Sequence, residues 1–121
     1  MSRVETINRI LRNLQAASPA VEASALISED GLMLASALPQ HVDESRVAGV
    51  SATLSTLGSR AARELERGDV EEVLVRGSYG YAVMISASAG TVLLALASRE
   101  AKLGLIFLDM RRAVDDLRKV V

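Results

Sequence analysis

The segment from Val21 to Ser36 constrains the fold more than any other part of the chain. It reads as strand, Asp30-Gly31 turn, strand. Asp-Gly suits a tight hairpin because both central residues of a type I′ turn need positive φ. Such a turn sets Ile27 opposite Leu34, and Leu26 opposite Ala35. Residues directly opposite each other share a face, so each face of this hairpin carries apolar side chains. A sheet that is apolar on both faces has to be covered on both. The hairpin is therefore expected in the middle of a layered α/β/α domain.

The flanking sequence supplies the layers. Ser2-Arg3-Val4-Glu5 fits a capping box, and Val4, Ile7, Leu11 and Leu14 follow at helical spacing with Ile10 beside them. This first helix ends before Pro19. A second, longer helix is expected from Asp43 or Ser45 to Glu66, stopping at Gly68. It sorts into three stripes. Val47, Val50, Leu54, Leu57, Ala61 and Leu65 form an apolar face assigned to the sheet. Ala48, Ala52, Ser55, Ser59 and Ala62 form a flank of small residues. Arg46, Gly49, Thr53, Thr56, Arg60, Arg63 and Arg67 form a polar, arginine-rich stripe.

Three further strands follow. Val70 to Arg76 is the most polar and reads as an edge. Gly77-Ser78 turns it into Tyr79 to Ser86, and Ala87-Ser88-Ala89-Gly90 turns that into Thr91 to Ala97. The last run is apolar on both faces and reads as central. Hairpin-length connections make the three an antiparallel meander. A third helix runs from about Ala101 to the chain end, burying Leu103, Ile106, Met110, Ala113 or Val114, and Leu117. The fold class is α/β (α+β): one domain over residues 1–121, with order α-β-β-α-β-β-β-α and a five-stranded sheet between helical layers.

Composition narrows the chemistry. Half of the 121 residues are hydrophobic but only 2% are aromatic, so the core is aliphatic. Formal net charge is −1, from 14 Lys+Arg against 15 Asp+Glu, which gives no global attraction to nucleic acid or anionic membrane. The chain has no cysteine, which excludes disulfides, thiolate nucleophiles and Cys-ligated metal sites. Met1-Ser2-Arg3-Val4-Glu5 carries no apolar signal segment, and the apolar run from Thr91 to Ala97 is too short to span a bilayer. A cytoplasmic protein with no membrane insertion is the expectation.

No catalytic or metal centre is legible, and no cofactor is expected. His41 is the only histidine and has no Ser, Cys or carboxylate partner at a recognisable spacing. Asp30 of the Glu29-Asp30 pair is explained as a turn former before Gly31. Gly77-Ser78-Tyr79-Gly80 lies between strands, with no helix N-terminus or Gly-Lys-Ser/Thr behind it, and reads as a hairpin turn rather than a phosphate loop. Tyr79 and Tyr81 share a strand face and are assigned to packing; a base-stacking platform needs more aromatics. Arg3, Arg9, Arg12, Arg111, Arg112, Arg118 and Lys119 read as solvated surface offset by Glu5, Asp109, Asp115 and Asp116.

The element order is carried by three segments. They are Ala25-Leu26-Ile27-Ser28-Glu29-Asp30-Gly31-Leu32-Met33-Leu34-Ala35, then Val73-Leu74-Val75-Arg76-Gly77 running into Tyr79-Gly80-Tyr81, then Gly90-Thr91-Val92-Leu93-Leu94-Ala95-Leu96-Ala97 ahead of Lys102-Leu103-Gly104-Leu105. In this order the chain resembles the Roadblock family, which includes dynein light chains, over essentially its whole length. Its short single-domain form is most similar to prokaryotic members, among them activators of gliding-motility GTPases.

The resemblance implies a roadblock/profilin-like sheet with the second helix on one face and the other two on the opposite face. It implies a homodimer or paired heterodimer, joined through third strands and adjacent second helices. It implies a non-enzymatic regulator or scaffold of small Ras-like GTPases, or a motor light chain. For the dimer interface the expected residues are Ala48, Ala52, Ser55, Ser59, Ala62, Val73 and Val75, because an edge strand leaves unpaired backbone groups and small residues let helices approach. For partner binding they are Arg46, Thr53, Thr56, Arg60, Arg63 and Arg67, since arginine is enriched at interfaces. The resemblance does not support an arginine finger. A pure assembly module and a small-ligand sensor on a similar sheet stand as alternatives.

Overall fold

The computed structural model describes residues 2–88 and 90–120. The chain runs α1 (Arg3–Ala17), β1 (Val21–Ser28), β2 (Met33–Ala37), α2 (Glu44–Glu64), β3 (Glu72–Gly77), β4 (Gly80–Ser86), β5 (Thr91–Ser98) and α3 (Leu103–Arg118). The order is the one expected. Ala89, in the turn expected before the last strand, lies outside the described residues, as do Met1 and Val121.

Local chemistry sets the first element. The Ser2 hydroxyl accepts from the Glu5 N–H at 3.1 Å and donates to the Glu5 carboxylate at 3.1 Å, so the α1 cap forms between the two residues that predict it. Ile7, Ile10, Leu11 and Leu14 are buried. Val4, expected in the same stripe, is 53% exposed.

All strand pairs are antiparallel and the sheet order is β2-β1-β5-β4-β3. β5 is central and β3 is an edge, as expected; β2 is the other edge. Leu26 pairs with Ala35 as the hairpin reading requires, but Ile27 pairs with Met33 rather than Leu34, after a register shift between Leu26 and Ile27. The turn explains the difference. Only Gly31 has positive φ there, at 91°, while Asp30 does not. The Gly31 N–H bonds the Ser28 carbonyl at 3.0 Å and the Ser28 N–H bonds the Leu32 carbonyl at 2.9 Å. This is a longer turn closed by a left-handed glycine, which adds a residue and re-registers the strand.

Both faces of β1 are nonetheless buried. Leu26 joins a core cluster with Leu11, Leu14, Met110 and Leu117 of α1 and α3. Ala25 and Ile27 join a second cluster with Ala48 of α2. The sheet is thus covered by α1 and α3 on one face and by α2 on the other. Ser18, buried at the end of α1, donates its hydroxyl to Asp109 of α3 and ties the two helices together. Buried Ser24 on β1 donates to the Gln15 side-chain carbonyl at 2.7 Å, so its hydroxyl is satisfied within the α1 layer.

The β3–β4 connection departs from expectation at one residue. Gly77 pairs with Gly80, which leaves Ser78 and Tyr79 as the turn. Tyr79 is therefore not a packing residue beside Tyr81. It is 95% exposed at the tip, whereas Tyr81 packs against the α1/α3 core with Arg76 over its ring.

Candidate interaction surface on the second helix

Asp43 starts α2. Its carboxylate accepts from the N–H groups of Ser45 and Arg46 at 3.1 and 3.2 Å and from the Ser45 hydroxyl at 2.8 Å. These bonds, the Ser45 hydroxyl first, hold the Asp43 carboxyl below its usual range. The helix ends at Glu64, earlier than Gly68 predicts. Glu66 takes the left-handed conformation (φ 58°), and the Arg67 N–H reaches back to the Ala62 carbonyl.

The orientation of α2 overturns the expected assignment of its stripes. Ala48, Ser51 and Ala52 are the buried residues of the helix, and Ser55, Gly58, Ser59 and Ala62 are half-buried on the same side. The small residues face the sheet. Val50, Leu57 and Leu65 are 55, 54 and 68% exposed, and Ala61 is exposed with them. Only Val47 and Leu54, at the border of that stripe, pack against the core.

The physical cause is distance. Small side chains let the helix lie close to the sheet, and a Cβ built on Gly58 would stand 2.4 Å from Cγ2 of Val73 on β3. A helix with its leucines inward would sit higher. Ala48 and Ala52 are thus covered by their own sheet and are not available to a second helix. The large apolar stripe is the free one, and the signal was Gly58, which none of the three stripes read from the sequence included.

Arg46, Arg60 and Arg63 lie on α2 as the sequence predicts, but Arg67 does not: the helix ends at Glu64 and the chain turns left-handed at Glu66 before it. Arg46, Thr53, Thr56, Arg60, Arg63 and Arg67 are all exposed. Thr53 donates to the Gly49 carbonyl at 2.8 Å, and the Arg67 Nε to the Leu65 carbonyl at 3.1 Å. Arg60 and Glu64 form a 3.1 Å pair whose side chains are 72 and 66% exposed, a contact worth little in water. α2 therefore presents two outward faces, one apolar and one guanidinium-bearing.

β3 lies beside the apolar face. Val73 is half-buried under Gly58; Leu74 and Val75 are 43 and 42% exposed. Glu72 is held on the opposite side of the sheet by Arg111 of α3, at 2.8 Å. On the arginine side of α2 is a cleft of about 580 Å³ between the helix and the sheet end where β3 begins; Thr56, Arg60, Arg63, Val70, Glu71 and Met84 are among its walls.

His41 is exposed in the loop before α2. Asp30 is exposed in the hairpin turn, its carboxyl held low first by the Ser28 side chain. Among the described residues no three His, Asp or Glu side chains gather as a metal site, and no helix is long and apolar enough to cross a membrane.

The Roadblock/LC7 domain family matches residues 7–97, and this chain belongs to that family. It is 31% identical to the uncharacterized protein MJ0310 of Methanocaldococcus jannaschii over 112 residues, covering 93% of this chain and 96% of that protein. The Roadblock/LC7 domain from Streptomyces avermitilis superposes with a TM-score of 0.86 at 26% identity, over 93% of this chain and 94% of the other. Myxococcus xanthus MglB superposes with a TM-score of 0.89 at 20% identity, over 99% and 90% of the two chains, and shares the fold.

Proposed function

We propose that this protein is a non-catalytic, homodimeric regulator or scaffold that binds a small Ras-like GTPase through α2. The observation carrying this reading is the pair of outward faces on one helix beside an unpaired edge strand. Val50, Leu57 and Leu65 form an exposed apolar stripe next to β3, whose outer backbone groups lack a strand partner in the single chain. Pairing β3 with a second copy satisfies those groups, and apposing two α2 helices covers the stripe. The interface we propose keeps Val73 and Val75 and replaces the small residues with Val50, Leu57 and Leu65.

The arginine face then lies on the outside of the paired helices. Arg46, Arg60, Arg63 and Arg67, with Thr53 and Thr56, offer planar donors for carboxylates and backbone carbonyls of a partner. A regulator of this kind selects a nucleotide state by differential contact with the switch loops, and residues of the GTPase itself perform hydrolysis. Family membership supports the regulatory or adaptor class.

The test is retention of a small GTPase from source-cell lysate in the presence of a non-hydrolysable GTP analogue or GDP. Retention with the analogue alone, lost in the Arg60→Glu, Arg63→Glu variant, is expected. An equal catch in both nucleotides, or no GTPase, leaves an assembly module without a nucleotide-dependent role.

A further inference from the structure

The outer edge of β3 carries a charge pattern that is complementary to itself. Glu72 and Arg76 stand two residues to either side of Leu74, which is 43% exposed. Both charges lie on the α1/α3 side of the sheet. Glu72 meets Arg111 of α3 there, and Arg76 lies over the ring of Tyr81, which packs against that core. Resting on the dimer reading above, we infer that β3 pairs about Leu74 with β3 of a second copy, and that Glu72 of each chain takes Arg76 of the other. These two ion pairs select both the partner, another copy of this chain, and the register.

The backbone selects the same register. Gly77 and Gly80 are the pair that closes the β3–β4 turn, and the bonding alternates back along the ladder from there. Val73, Val75 and Gly77 bond β4, so the N–H and C=O groups of Glu72, Leu74 and Arg76 point outward. Antiparallel self-pairing about Leu74 sets Glu72 opposite the partner's Arg76, Leu74 opposite the partner's Leu74, and Arg76 opposite the partner's Glu72. Every outward group of β3 then meets an outward group of the partner. Moving the centre to Val73 sets Arg76 against the partner's Val70. Moving it to Val75 sets Glu72 against the partner's Ser78. Neither of those residues belongs to β3. Both shifts also lose the ion pairs and set Leu74 against a charged residue.

The side chains agree with the backbone. Nη2 of Arg111 donates to Oε2 of Glu72 at 2.8 Å, which leaves Oε1 to accept from the partner's guanidinium. The Tyr81 ring holds Arg76 beside the edge, 5.9 Å from its centroid. On the other face Val73, which packs in the α2-side cluster, meets the partner's Val75. Each chain thus carries both halves of the recognition. A partner strand with the two charges in the opposite order meets like with like and is rejected.

Sedimentation equilibrium of Glu72→Arg and Arg76→Glu, each alone and in equal mixture, reads the ion pairs. Each variant alone sets like charges opposite each other twice, so its dimer dissociation constant should rise about ten-fold or more over wild type. In the mixture every pair is again of opposite sign, and a heterodimer about ten-fold or more tighter than either variant alone is expected. The chain has no cysteine, so single cysteines read the register. Leu74→Cys places two thiols at directly opposite positions, with Cα atoms about 5.5 Å apart, within disulfide reach. Val75→Cys leaves them on a diagonal of about 7–8 Å, past that reach. A disulfide-linked dimer at 74 and not at 75 is expected under mild oxidation. The cysteine variants keep every charge, so they read the register even where a charge reversal lowers the melting temperature. A disulfide that does not favour 74 over 75, or a mixture no tighter than the single variants, overturns the inference and leaves the wild-type dimer standing. A wild-type monomer at all concentrations overturns both.

Discussion

Gly58 of α2 lies directly over Val73 of β3, so close that a methyl group at position 58 would stand 2.4 Å from the valine Cγ2. This contact sets the height and rotation of the helix, and through them which of its residues are left to solvent. With the small stripe on the sheet, Val50, Leu57 and Leu65 point away from the core. The surface on which the functional reading rests is a consequence of packing beneath the helix.

Filling that contact is therefore costly. Ala is favoured over Gly in a helix by about 1 kcal/mol, but Val73 is stiff and β-branched and cannot swing aside. Gly58→Val is expected to destabilise the fold by about 1–3 kcal/mol through overpacking. Adding Val73→Ala should return a large part of the loss. Urea unfolding of the two single variants and the double variant measures the coupling.

The rotation of α2 predicts opposite responses from residues that look alike in the sequence. Ala48 is fully buried, so Ala48→Leu is expected to cost about 1–3 kcal/mol. Leu65 is 68% exposed, so in the monomer Leu65→Ala should change stability by no more than about 0.5 kcal/mol. Unfolding at concentrations below dimer formation separates the two.

α3 begins without a side-chain cap, since Lys102 occupies the N-cap position and makes no capping bond. A cation there also opposes the helix dipole. Lys102→Asp should stabilise the protein by about 0.5–1 kcal/mol. A rise in the melting temperature, with an unchanged far-ultraviolet spectrum, is the expected result.

Asp43 makes the α2 cap pH-dependent. Its carboxyl is held low in the folded chain, first by the Ser45 hydroxyl and then by the Arg46 N–H. A depressed folded-state value means that the stability it contributes is fully present above the unfolded carboxylate value of about 3.9. That contribution is lost as pH falls through the folded value. Asp43→Asn still caps but does not titrate, so its melting temperature should fall less steeply than that of wild type below about pH 4. Equal slopes would remove Asp43 from the acid limb.

Much of this architecture was legible in the chain because its signals are local or periodic. The α1 and α3 stripes, the Ser2 cap, the polar edge strand and the doubly apolar β5 follow from side-chain spacing alone. The arginine face of α2 was legible for the same reason, since charges stay in water. The rotation of α2 was not. Hydrophobic periodicity locates a large-residue stripe but does not say whether the sheet leaves room for it, and here Gly58 and Val73 decide. Tyr79 was misplaced because the turn closes between Gly77 and Gly80, two residues that the strand pattern alone does not distinguish. Ile27 was misregistered because the Asp30-Gly31 turn uses one left-handed residue instead of two.

The most direct measurement is the association state of wild type and Leu57→Glu by sedimentation equilibrium. Leu57 is 54% exposed on the free stripe, so the charge does not enter the core. The account predicts a wild-type dimer and a folded Leu57→Glu monomer. A wild-type monomer, or a Leu57→Glu dimer as tight as wild type, would contradict it.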